Sequence, residues 1–131
     1  MQGGCLCGSF RYHLKGKPTI SVNCHCGMCR RQSGASFLTY VAVDQTSFYA
    51  ETGNLVRYRS SEQAVRTHCG TCGSPLTFTF DSAPGTVWIT AGSLDDPNVC
   101  PPSENWFIHD KLSWTKLDDQ IKAWAGAPPE G

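Results

Sequence analysis

Seven of the eight cysteines fall in three short clusters: Cys5-x-Cys7-Gly, Cys24-x-Cys26-x-x-Cys29 and Cys69-x-x-Cys72-Gly; Cys100 stands apart. In an extended segment residues i and i+2 point to the same side, so Cys5 and Cys7 can aim at one metal ion, and so can Cys24 and Cys26. A C-x-x-C turn also puts two sulfurs on one ion. Gly8 and Gly73 follow the last cysteine of their clusters, where glycine lets the backbone turn tightly with positive φ and face its amide to the sulfur. Two knuckles of matched form predict one closed, tetrahedral, structural zinc site of four thiolates: Cys5, Cys7, Cys69 and Cys72. Such a site ties the N-terminal segment to a strand more than sixty residues away.

The middle cluster is of another kind. Cys29 is followed by Arg30 and Arg31 rather than glycine. Three protein ligands and an exchangeable position are the usual form of a catalytic zinc site. Three thiolates leave the ion a modest Lewis acid, but a coordinating thiol is deprotonated there, so the pattern favours sulfur chemistry over hydrolysis. Cys24, Cys26 and Cys29 are therefore the candidate catalytic ligands. A fourth ligand from Cys100, His25, His68 or His109 would close the site instead. His25 and His68 should point away from the sulfurs if their strands are extended. Arg30 and Arg31 read either as a solvated face or as a pair that binds a substrate carboxylate. No residue stands out as a general base.

The even cysteine count also permits a disulfide framework, which wants a secreted chain; "MQGGCLCGSF" lacks a basic segment followed by an apolar one, so a cytoplasmic protein with free thiols is expected. The 131 residues form one expected domain, 40% hydrophobic and 17% charged, with eleven cationic and eleven anionic side chains. Zero net charge argues against bulk binding to nucleic acid or anionic membranes, and no apolar run approaches the ~20 residues of a membrane span.

The elements that must position the cysteines read as short strands: "SFRYHL", with Phe10, Tyr12 and Leu14 on one face, then "SFLTYVAV", "NLVRYRS", "AVRTHC", "PLTFTF" and "TVWITAG". Turn signals separate them. Antiparallel sheets with little helix are predicted. One helix is expected over "KLDDQIKAW", where Leu117, Ile121 and Trp124 share a face and Thr115 is the candidate N-cap. A single helical turn after Cys26 should end near Gly34, and the tail over 125–131 should fray.

The ordered motifs C-x-C-G, "CHCGMCRRQSGA", "HCGTCGSPL" and "WITAGSLDDP" resemble the glutathione-dependent formaldehyde-activating enzyme family from about Gly4 to Trp114. The resemblance implies a mostly β fold called the β-tent. It implies structural zinc on Cys5, Cys7, Cys69 and Cys72, and catalytic zinc on Cys24, Cys26 and Cys29. It also implies a carbon–sulfur lyase that forms or cleaves S-hydroxymethylglutathione, with a glutathione-like thiol and a small aldehyde as partners. Family members often carry histidine where Asn105 stands in "PSENWFIHDKLSW", a departure that bears on substrate in that region.

Two other functions are open. The β-tent resembles a non-catalytic zinc domain that binds a protein partner, for which Trp106-Phe107 is a candidate apolar patch. A metal-buffering or redox-sensing role would join Cys26 to Cys29 under mild oxidation. A monomer or homodimer is expected.

Overall fold

The structure is a computed structural model and describes residues 1–129. The chain runs β1 (Gln2–Gly4), β2 (Arg11–Leu14), β3 (Ile20–Cys24), α1 (Gly27–Ser33), β4 (Leu38–Asp44), β5 (Phe48–Thr52), β6 (Leu55–Arg59), β7 (Ala64–Cys69), β8 (Pro75–Phe80), β9 (Thr86–Thr90), β10 (Glu104–Trp106) and β11 (Lys122–Ala123). A three-stranded sheet in the order β1-β2-β5 leans on an eight-stranded sheet in the order β11-β10-β3-β4-β9-β8-β7-β6. Pairing is antiparallel except at β10, which runs parallel to both β3 and β11.

Alternation on β2 explains how the sheets meet. Phe10, Tyr12 and Leu14 are all buried, and they pack with Val41 and Val43 of β4, Leu76 of β8 and Ile89 of β9. Each such side chain contributes about 2 kcal/mol by leaving water. A second, smaller core gathers Cys24, Cys29, Tyr40 and Phe78 near the far end of β3. Helix α1 begins at Cys26, whose sulfur accepts the Cys29 amide, and stops at Gly34 in a left-handed conformation, as the sequence suggests.

The helix expected over "KLDDQIKAW" does not form. Asp118 accepts the Gln120 amide in a local turn that competes with helix. Lys122 and Ala123 pair instead with Glu104 and Asn105, giving the exposed flank of β10 a partner. The Trp124 indole donates to Glu104 at 2.6 Å. Thr115 caps no helix: it is buried, and among the described residues its hydroxyl has no partner. In the tail, the carbonyls of Ala125 and Gly126 accept the amides of His109 and Phe107, so backbone order continues past 125; residues 130 and 131 lie outside the described residues. Among the described residues no helix is long and apolar enough to cross a membrane.

Candidate active site

The clustered cysteines converge as two separate sets. The sulfurs of Cys5, Cys7, Cys69 and Cys72 lie within 4.8 Å of one another, and so do those of Cys24, Cys26 and Cys29. All eight cysteines are free thiols.

The four-thiol set joins the β1–β2 turn to the β7–β8 turn, so it bridges the two sheets. Both knuckles turn through glycines of positive φ, Gly8 at 78° and Gly73 at 80°. Amides then point at sulfur: Phe10 to Cys5 at 3.3 Å, and Thr71 and Cys72 to Cys69 at 3.3 and 3.4 Å. The Ser9 hydroxyl lies 3.4 Å from the Cys69 sulfur, and Ser74 lies 3.1 Å from that of Cys72. Ser9, then these amides, hold the Cys69 thiol down to about 5; Ser74 chiefly lowers Cys72 to about 7. Four soft donors, ringed by amide and hydroxyl dipoles that lower two of them, suit a divalent metal such as zinc.

The three-thiol set is built from the end of β3 and the first turn of α1. Cys26–Cys29 and Cys29–Cys24 sulfur separations are both 3.1 Å. Among the described residues no histidine, carboxylate or fourth thiol joins them. His25 turns away and is buried, its Nε2 3.2 Å from Asn105 Oδ1. Asn105 is also buried, accepts a second bond from Asn23, and lies off the cavity described below. His68 sits on β7 across from Val56. His109 Nδ1 bonds the Ala125 carbonyl. Cys100 is buried in the main core, its thiol pushed up by burial, with Met1 as its sulfur neighbour.

Arg66 of β7 is the residue that motif reading missed. It is only 6% exposed, yet among the described residues it has no carboxylate partner. Its guanidinium donates to the Tyr40 hydroxyl at 2.8 Å, to Ser60 at 3.3 Å and to the Cys29 sulfur at 3.7 Å, and it lies over the Phe78 ring. A buried cation without a counter-ion is costly, and the adjacent thiol cluster is the group that can supply a balancing negative charge. Burial pushes the Tyr40 hydroxyl up, and the nearby thiols reinforce this, so it stays neutral. Three thiolates and one divalent ion sum to about −1, which Arg66 offsets. The donor set therefore fits a metal. The sequence signal was a lone arginine inside an otherwise buried strand.

Above the three sulfurs opens a cavity of about 620 Å³. Its floor includes Cys24, Cys26, Cys29 and Arg66; its walls are mainly aromatic, from Phe78, Phe80, Trp88, Trp106 and Phe107. Trp106 and Phe107, both half-buried, thus form cavity wall. Phe107 has φ of 59°, and it is the non-glycine residue with positive φ among the described residues, a conformation worth notice in so bulky a side chain. Arg31 borders this cavity, whereas Arg30 faces a shallower cleft with Arg31, Trp114 and Leu112. The two arginines share that cleft, and of the pair Arg31 alone also lines the cavity above the sulfurs.

The sequence of residues 1–110 matches the family model described as glutathione-dependent formaldehyde-activating enzyme. An uncharacterized lyase of Schizosaccharomyces pombe is 32% identical over 93 residues, which cover 69% of this chain and 65% of that protein. The match thus spans just under two thirds of the relative's length. The crystal structure of a Rhodobacter sphaeroides protein superimposes with a TM-score of 0.65 at 23% identity, over 81% of this chain and 99% of that one. That likeness concerns the fold.

Proposed function

The chain belongs to the glutathione-dependent formaldehyde-activating enzyme family, and from that premise we propose that it is a zinc-dependent carbon–sulfur lyase that forms or cleaves an adduct of a thiol and an aldehyde. One observation carries the reading: three cysteine sulfurs in mutual contact form the floor of an open, largely apolar cavity, with no fourth protein ligand among the described residues. The lyase name of the yeast relative supports the same reaction class.

Cys24, Cys26 and Cys29 would hold the catalytic zinc, and Cys5, Cys7, Cys69 and Cys72 the structural one. When bound at the three-thiol floor, zinc supplies a soft Lewis-acid position that lowers the pKa of an incoming thiol. Arg66 fixes the Cys29 sulfur and offsets the charge of the ligand set, with Tyr40 and Ser60 holding the guanidinium in place. The aromatic walls exclude water from the reacting carbon. Arg31 stands at the rim, where a carboxylate of a glutathione-like thiol can reach it. The sulfur attacks the carbonyl carbon, the carbonyl electron pair moves to oxygen, and the thiol proton leaves to water while the oxygen takes one up. Cleavage is the reverse.

The test is intact mass under native conditions, followed by thiol titration of cobalt-substituted protein. Two metals in the wild type, one in C26S, and a thiol-induced spectral shift are expected. No shift with any low-molecular-weight thiol would overturn the proposal.

A further inference from the structure

Resting on the lyase reading, we infer that the aldehyde partner carries an aromatic or similarly bulky apolar group, which lies against the aromatic wall of the cavity while its carbonyl carbon meets the cysteine floor. Size is the first argument. A one-carbon aldehyde is comparable to one or two waters of about 30 Å³ each, a small fraction of about 620 Å³. Cavities of the observed volume suit ligands of many more atoms.

The second argument is that the rings form one continuous wall. Phe78 stacks parallel on Trp88 at 5.7 Å and 10°, and Trp106 meets Trp88 edge-on at 5.2 Å and 65°. Phe80 meets Phe78 edge-on at 5.1 Å. Each ring is held by a neighbour in a favoured aromatic geometry, so together they present a continuous apolar surface to the cavity. An apolar group entering it exchanges water contact for ring contact.

The third argument is how charge is distributed. Arg66 is committed to Tyr40, Ser60 and Cys29. The other charged side chains of the lining, Arg31, Asp110 and His109 where protonated, are exposed at the rim. The rim can therefore meet the charged ends of a peptide-like thiol, and the interior cannot. The interior is left for the aldehyde substituent. The reaction is a balanced addition: the S–H proton is lost, the C–S bond forms, and the former carbonyl oxygen gains a proton, with no oxidant or reductant.

The experiment uses the zinc-loaded full chain and two readouts. In the first, tryptophan fluorescence follows titration with 2-phenylethanol, an unreactive stand-in for phenylacetaldehyde, and with ethylene glycol as the polar control. Saturation by 2-phenylethanol at concentrations at least about tenfold lower is expected. Met28 also lines the cavity; F80A and M28A, at positions 38% and 41% exposed and so tolerant of truncation, should each weaken it by about threefold. In the second, exchange NMR follows adduct formation between glutathione and either phenylacetaldehyde or formaldehyde, with faster catalysed exchange expected for the former. No saturation by 2-phenylethanol, or a response equal to that of ethylene glycol, overturns the inference. Catalysed exchange of formaldehyde alone overturns it and leaves the lyase reading standing. Exchange of neither aldehyde overturns the lyase reading and the inference with it.

Discussion

The two cysteine clusters use the same donor atom in opposite ways. The four-thiol cluster is bordered by Ser9, Ser74 and backbone amides, and sits between two sheets. The three-thiol cluster is bordered by a buried arginine and a wall of rings, and sits on one sheet beside a cavity. The first gathers its sulfurs from two glycine-tipped knuckles. The second replaces one knuckle with the start of a helix, and its sulfurs line the cavity. The turn chemistry around the thiols thus decides whether a cluster lies between two sheets or beside a cavity.

The largest effect should come from opening the closed cluster. C72S removes a thiol from the cluster that joins the sheets, where a bound metal would contribute on the order of 10 kcal/mol, comparable to the stability of a whole domain. Insoluble protein or loss of the cooperative melt is expected; a folded variant of wild-type melting temperature that lacks the metal would contradict the structural role. C26S should sharpen the contrast from the other side: it keeps the fold by circular dichroism, loses one zinc of two, and loses catalysed adduct exchange.

A smaller effect is expected at Arg66. R66M leaves the ligand set intact but removes its balancing charge and the donor to Cys29. Zinc affinity at the second site should fall by about 10- to 100-fold in a chelator competition, as for other partners of metal ligands. R66K should recover part of it, because the charge returns without the planar fork. Equal affinity in all three proteins would show that Arg66 merely fills space.

The smallest effect lies outside both clusters. Arg11 donates to Asp95 at 2.8 Å and holds its carboxyl below the ordinary 3.8. A carboxyl lowered on folding adds stability that is complete above its unfolded pKa and is lost as pH falls through the folded one. That stability is complete at pH 7, so D95N should slightly lower the urea midpoint there, and the difference should shrink in high salt. Exposed pairs of this kind contribute little, and a difference that salt leaves unchanged would assign it to packing.

What was legible in the sequence divides along a physical line. The alternation of Phe10, Tyr12 and Leu14, and the matched knuckles, are local patterns, and local geometry suffices to read them. The short turn of helix from Cys26 to Gly34 was legible for the same reason. Arg66 was not, because its partners Tyr40 and Cys29 come from a different strand and from the helix. The cavity was hidden likewise, since Phe78, Trp88 and Trp106 meet only when β8, β9 and β10 are in place. The helix read into residues 116–124 failed because an unpaired flank of β10 competed for that segment. Its apolar spacing had no face to cover, while the backbone groups of β10 needed partners.

The parallel seating of β10 has a consequence for motion. Three residues long, it is fastened between β3 and a two-residue β11, and it carries Trp106 and leads into Phe107. Segments with few fastening bonds open at lower free energy than sheet centres. Amides of residues 105–109 should thus exchange with deuterium sooner than those of β4 and β9. One part of the cavity wall then rests on the shortest paired strands of the large sheet, and an apolar ligand that fills the space should slow its exchange while leaving β4 and β9 unchanged.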